Sequence, residues 1–107
     1  MNKYRDKSDF EINKAVAVNV NGADAVVEKF GRIYIIDEDG VAMVSFDPCN
    51  NPADAWPIIN EYGISLIYQE REFQFATNDG NIECSISNPL KAAMIIFLMM
   101  KDAENEK

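Results

Sequence analysis

Asp47 and Asp54 bracket a loop inside the segment FDPCNNPADAWPIINEYGISL, residues 46–66, and could work together as acid and base. Two carboxylates divide that work only inside one cleft whose surroundings drive their pKa values apart. Cys49, between them, could be a nucleophile if a neighbouring cation or histidine lowered its pKa. The chain contains no histidine, so help for the thiol would have to come from distant lysine or arginine. The acidic trio Asp37, Glu38 and Asp39 could ligate a hard cation, but calcium takes about six to eight oxygens. A solvated hairpin tip accounts for the trio with less. Phosphate loops, metal-ligand spacings and nucleophile motifs are absent from the sequence, so no cofactor and no metal is expected.

Turn and capping bonds give a fuller account of the loop than catalysis does, because Asn and Asp side chains bond nearby backbone amides. What they leave over is Trp56. Tryptophan either wedges into a core or anchors a partner, and it is enriched in binding hot spots. The candidate partner-binding set is therefore Asp47, Asn50, Asn51, Asp54 and Trp56.

These residues must be held by elements that the sequence pattern outlines. Ser8 and Glu11 fit a capping box, so a helix is expected over about 9–18, with Ile12, Ala15 and Val16 inward and Asn13 and Lys14 outward. Asn21-Gly22 is a turn. A strand of poor alternation covers 25–30. Ile33 to Ile36 is the clearest strand, followed by a hairpin loop at 37–40 and a returning strand at 41–46. Pro57 would sit deep in any helix starting at Pro52, and an interior proline costs roughly 3 kcal/mol. With Asp54 as N-cap, Pro57 falls in the first turn instead. That helix is expected to end at Tyr62, with Gly63 beyond it. Strands follow at 64–69 and 72–76, a hairpin loop at 77–81, and a strand from Ile82. Asn88-Pro89 is a cap followed by proline at the first helical position. It opens a helix to about Asp102.

Strand groups that hairpin locally, with helices between them, define α+β. The expectation is a single domain over 1–107, with a largely antiparallel sheet of about five to six strands. Helices at the N-terminus, the middle and the C-terminus should pack on one face of it. Residues 1–7 and 103–107 are expected to be flexible. The last helix is apolar almost all round over 90–100, wider than the arc one sheet face covers. Either a homodimer forms through that helix, or the N-terminal helix and the 54–62 helix pack on its other side and complete a core within one chain.

Apolar residues make up 48% of the 107, which is enough for a core without disulfide or metal. The N-terminus has no apolar run of signal-peptide type. The longest apolar stretch, 92–100, is far short of the roughly 20 residues that a membrane span needs. Cys49 and Cys84 therefore read as reduced thiols of a cytoplasmic protein. The 18 acidic and 10 basic residues give a net charge of −8, which repels nucleic acid. A surface that acidic either keeps the protein soluble or imitates DNA toward a basic partner. Mimicry would require Asp37, Glu38, Asp39, Glu70, Glu72, Asp79 and Glu83 to align on one face, and Lys29, Arg32 and Arg71 interrupt that region.

Three segments, 8–17 (SDFEINKAVA), 46–66 and 88–102 (NPLKAAMIIFLMMKD), occur in the order found in one phage family, and FDPCNNPADAWPII and NPLKAAM are their most specific strings. The chain resembles the NinX-type accessory proteins of tailed phages and prophages. Residues 19–45 and 68–87 carry no signature. The resemblance implies a phage or prophage origin and the host-cell cytoplasm, and it implies no reaction. It favours a protein-binding role toward a host or phage protein, since phage accessory proteins often act that way.

Overall fold

The computed structural model describes residues 3–37 and 39–105. Helix α1 runs Asp9–Asn21 behind the expected capping box. The Glu11 amide donates to Ser8 Oγ at 3.1 Å, and the Ser8 amide donates to Glu11 Oε1 at 3.2 Å. The second bond, with the Ser8 hydroxyl and Lys7 adding to it, holds the Glu11 carboxyl below its ordinary range. The helix passes the expected end at Val18 and stops at Gly22, whose φ of 87° suits glycine. Its valines are tolerated because tertiary packing outweighs a slight loss of propensity. Its buried side is Ile12, Asn13, Val16 and Ala17. Asn13 therefore faces inward, not outward as its polarity indicated.

Strands β1 (Val26–Lys29), β2 (Arg32–Ile36) and β3 (Met43–Ser45) form one antiparallel sheet in that order. Strands β4 (Ile64–Gln69), β5 (Glu72–Asn78) and β6 (Ile82–Cys84) form a second. The β1–β2 turn has positive φ at both Phe30 and Gly31, and the β5–β6 turn has it at Asp79 and Gly80. Successive positive φ values at both central residues suit the right-handed twist of a hairpin. The β4–β5 turn adopts the same signs at Glu70 and Arg71, neither of them glycine.

The class is α+β, as expected, but the strands divide into two three-stranded sheets. The reason lies in the chain path. Each sheet is a meander of local turns, and helix α2 (Pro52–Tyr62) separates them in sequence. Helix α3 (Pro89–Asn105) packs on all three strands of the second sheet and on α1 and α2, while the first sheet packs on α1. The order of contact is first sheet, α1, α3, second sheet. The acidic residues proposed for DNA mimicry are consequently split, with Asp37 and Asp39 by the first sheet and Glu70, Glu72, Asp79 and Glu83 on the second. Glu38 lies outside the described residues.

Helix α2 is capped three residues earlier than expected. Asn51 is the N-cap, with its Oδ1 accepting from the Ala53 amide at 3.0 Å, and Pro52 opens the helix. Pro57 is then interior. Its missing N–H leaves the Ala53 carbonyl without its helical donor. Ala53 and Pro57 both lie on the exposed side, so water can serve that carbonyl. The opposite side buries Ala55, Ile58 and Ile59. Gly63 ends the helix in the left-handed conformation at φ 63°.

Asn88 caps α3 as expected, its Oδ1 accepting from the Leu90 and Lys91 amides at 3.0 and 3.2 Å. Every residue from Ala92 to Leu98 is buried within one chain. Two helices and a sheet surround α3, as the one-chain alternative required; residues 92–98 are covered within one chain, while Leu90, Met99 and Met100 are half-buried. Ahead of α1, in the segment expected to fray, Tyr4 is buried and donates to Asp102 Oδ2 at 2.5 Å. Lys3 Nζ lies 3.2 Å from the same oxygen.

Candidate functional site

The segment from Asp47 to Asn51 joins the first sheet to α2 through a polar network. The Asp47 carbonyl accepts from the amides of Asn50 and Asn51, at 3.1 and 2.7 Å, which closes the loop on itself. The Asp47 carboxylate accepts from Asn13 Nδ2 at 2.7 Å and from Asn50 Nδ2 at 3.2 Å. Its own amide donates to Asp54 Oδ2 at 2.9 Å. Asp54 thus ties the helix back to the loop and does not cap it.

Asn13 is the interior partner of this loop. Its Nδ2 serves Asp47 and its Oδ1 accepts from the buried Cys49 amide at 3.1 Å. Asn88, from the start of α3, donates to the Cys49 carbonyl at 2.7 Å and to Asn50 Oδ1 at 3.2 Å. Asn50 Nδ2 also reaches Asp9 Oδ2 at 3.1 Å, and Lys91 Nζ pairs with Asp9 Oδ1 at 3.0 Å. The bond from Asn50, with Lys91 adding to it, holds the Asp9 carboxyl below its ordinary range. Two helix starts and a loop are thereby stitched together. Among the described residues, every buried side-chain nitrogen and oxygen has a hydrogen-bond partner.

The sequence placed Asp47, Asn50, Asn51 and Asp54 in one candidate surface, and the structure brings them together as a scaffold. It adds Asp9, Asn13, Asn88 and Lys91, which sequence reasoning left out of the site. One signal for Asn13 was present: it adjoins Ile12 and lies three residues before Val16, at the edge of the apolar stripe. Trp56 stands apart from the network. It is 55% exposed on the outer side of α2, beside Pro52, Ala53, Pro57 and Asn60, which are also exposed.

A cleft of about 320 Å³ opens between α1, the β1–β2 turn and the loop, lined among others by Asp9, Asn13, Arg32, Asp47 and Asn50. Asp54 is not in its wall. This cleft is therefore not one that Asp47 and Asp54 share. The hairpin tip has an equally structural account, because Asp37 Oδ1 accepts from the Val41 amide at 3.0 Å and its carbonyl from the Gly40 amide at 3.0 Å. The described residues hold no group of three or more histidine, cysteine or acidic side chains placed to bind a metal ion.

Cys49 is fully buried. Burial, with the Asp9 and Asp47 carboxylates adding to it, pushes its thiol from 9.0 up to about 12. That is the opposite of nucleophile activation. Two outcomes are expected. A thiol-reactive disulfide reagent at neutral pH should label neither Cys49 nor Cys84 in the folded chain, since both are buried, and both after denaturation. Stability should also fall as pH rises above 9.0 toward 12, because the unfolded chain releases the Cys49 proton that the folded chain retains. Tyr4, raised above 10.0 chiefly by burial and then by its bond to Asp102, acts in the same direction. Urea titrations across that range check the slope; stability that is flat or rising with pH would contradict it.

A profile of the family described as Bacteriophage P22, NinX matches residues 3–101. The match spans the middle of the chain, where the sequence carries no signature of its own. No curated protein and no solved structure matches the chain. Among the described residues, no helix is long and apolar enough to cross a membrane.

Proposed function

The chain belongs to the phage family described as Bacteriophage P22, NinX, and from that membership we propose that it is a non-enzymatic accessory protein that binds a host or phage protein in the host cytoplasm. The observation that carries this reading is the position of Trp56. The chain has one tryptophan, and it is more than half exposed on a helix whose other side is fixed in the core. A large, rigid side chain held on a firm helix loses little entropy on docking, which suits an anchor. Asn51 and Asn50, also exposed, lie at the start of the same helix and supply polar contacts at its rim. Asp47 and Asp54 support the surface from behind through the bonds already described.

The test is capture of partners by the tagged full chain from infected and uninfected host cells, beside the Trp56→Ala variant, with identification by mass spectrometry. Truncating a hot-spot side chain typically costs 2 kcal/mol or more, about thirtyfold in affinity. The expected result is a specific protein that is retained by the parent chain and lost with Trp56→Ala while the melting temperature is unchanged. Recovery of no specific protein from either lysate, or equal recovery with the variant, overturns the proposal.

A further inference from the structure

Strand β3 is an open edge. Its bridge partners are Tyr34, Ile35 and Ile36 on β2, and the sheet ends there. The ladder fixes which backbone groups are free. The Asp37 amide donates to the Ala42 carbonyl at 3.1 Å, and the Phe46 amide donates to the Ile33 carbonyl at 2.9 Å. Backbone groups alternate in direction along a strand, so Ala42, Val44 and Phe46 face β2. The N–H and C=O groups of Met43 and Ser45 point away from the sheet. The side chains on this edge are exposed too, with Val41 at 84%, Met43 at 44% and Val44 at 65%.

Natural edges are usually guarded by lysine, proline or an inward charge. Residues 41–46, VAMVSF, contain none of these. The two ends of this sheet differ in charge. The β2–β3 end carries Asp37 and Asp39, with Asp24 on the wall of the same shallow depression. The β1–β2 end carries Lys29 and Arg32. At that end the nearby carboxylates are already engaged, Asp9 by Lys91 and Asp47 by Asn13.

We propose that β3 pairs with β3 of a second copy of this chain, antiparallel about a two-fold axis at Val44, to make one continuous sheet. Antiparallel pairing sets the acidic end of each copy toward the basic end of the other, and it is this charge complementarity that selects a second copy. The register follows from the free groups. Met43 and Ser45 exchange backbone hydrogen bonds with Ser45 and Met43 of the second copy. Val44 then meets its own equivalent in the non-hydrogen-bonded position, where Cα atoms lie about 4.5 Å apart. Because β3 is short, the dimer is reversible. It is independent of α3, whose residues 92–98 are buried within one chain, and of the surface around Trp56.

Sedimentation equilibrium of the full chain from micromolar to near-millimolar concentration reads the association directly. The expected result is a mass that rises from 12.1 kDa toward twice that value. Val44→Lys should raise the dissociation constant at least about tenfold with the melting temperature unchanged, because like charges directly opposite destabilise a strand pair. A cysteine trap tests the register. The separation of a non-hydrogen-bonded pair suits a disulfide, so Val44→Cys should cross-link under mild oxidation at least about tenfold faster than Val20→Cys, an exposed position on α1. The native thiols are buried and do not compete. A monomer mass at every concentration overturns the proposal. So does a dimer indifferent to Val44→Lys, cross-linking of Val44→Cys no faster than the control, or an edge that is occupied only when a different protein is added.

Discussion

Phe97→Ala is expected to lower the unfolding free energy by about 3–5 kcal/mol, the range for removing a buried aromatic ring from a core. Phe97 is fully buried near the middle of α3. Its ring meets Tyr62 edge-on, with centroids 4.9 Å apart and planes at 68°, which joins α2 to α3. Lys101 Nζ lies 4.9 Å from the Tyr62 ring centre and 5.8 Å from that of Phe97, closing the cluster at the outer end. A domain of this length is stable by roughly 5–15 kcal/mol in total, so the variant should lose a large share of its stability. Phe30→Ala is the matched comparison, since Phe30 is 85% exposed and its loss should stay within about 0.5 kcal/mol. Urea titrations of the two variants check the contrast, and similar costs would show that burial of α3 has been misassigned.

Asn13→Ala should cost about 2–4 kcal/mol although the residue is small and polar. Its amide nitrogen serves a carboxylate, and bonds to charged groups are worth about 1.5–3 kcal/mol. Its oxygen is the acceptor for the buried Cys49 amide, which would otherwise be left without a partner at a further penalty of about 1–3 kcal/mol. Asn13→Asp is no repair, because it sets a second carboxylate against Asp47. Asn19→Ala serves as the control, since that asparagine is exposed and bonds only the Ala15 carbonyl one turn back. Thermal melts followed by circular dichroism decide. A loss below about 1 kcal/mol for Asn13→Ala, within the ordinary range for a single hydrogen bond, would mean that water replaces both partners.

Much of the fold was legible because local chemistry decided it. Ser8 and Glu11, Asn88 and Pro89, Gly63, and the Asp79-Gly80 turn each act within a few residues, and each does in the structure what its type implies. Long-range packing was not legible in the same way. The apolar surround of α3 left two readings open, a second copy or cover by the other two helices, because the sequence does not show from which sides α1, α2 and the second sheet reach it. The two-sheet division was hidden for the same reason: hairpin patterns fix neighbours within a meander and say nothing about where the next meander lands. At the start of α2 two local rules conflicted. The rule against interior proline favoured Asp54 as the cap, and the geometry of Asn51-Pro52 prevailed because Pro57 faces solvent. In the candidate site, Asp47, Asn50, Asn51 and Asp54 were visible as turn formers, but their joint dependence on Asn13 was not. A buried asparagine among helical valines announces itself only once its partners are known.

The bond between Tyr4 and Asp102 joins residues 98 positions apart. Closing a loop costs more entropy as the loop lengthens, so a contact of that span forms only after α1 and α3 have found each other. It is expected to form late in folding and to break early in unfolding. Contacts absent from the transition state act on the unfolding rate and leave the folding rate nearly untouched. The tyrosine ahead of α1 is thus expected to act as a latch in time, with its weight on how long the chain keeps its structure rather than on how quickly the chain finds it.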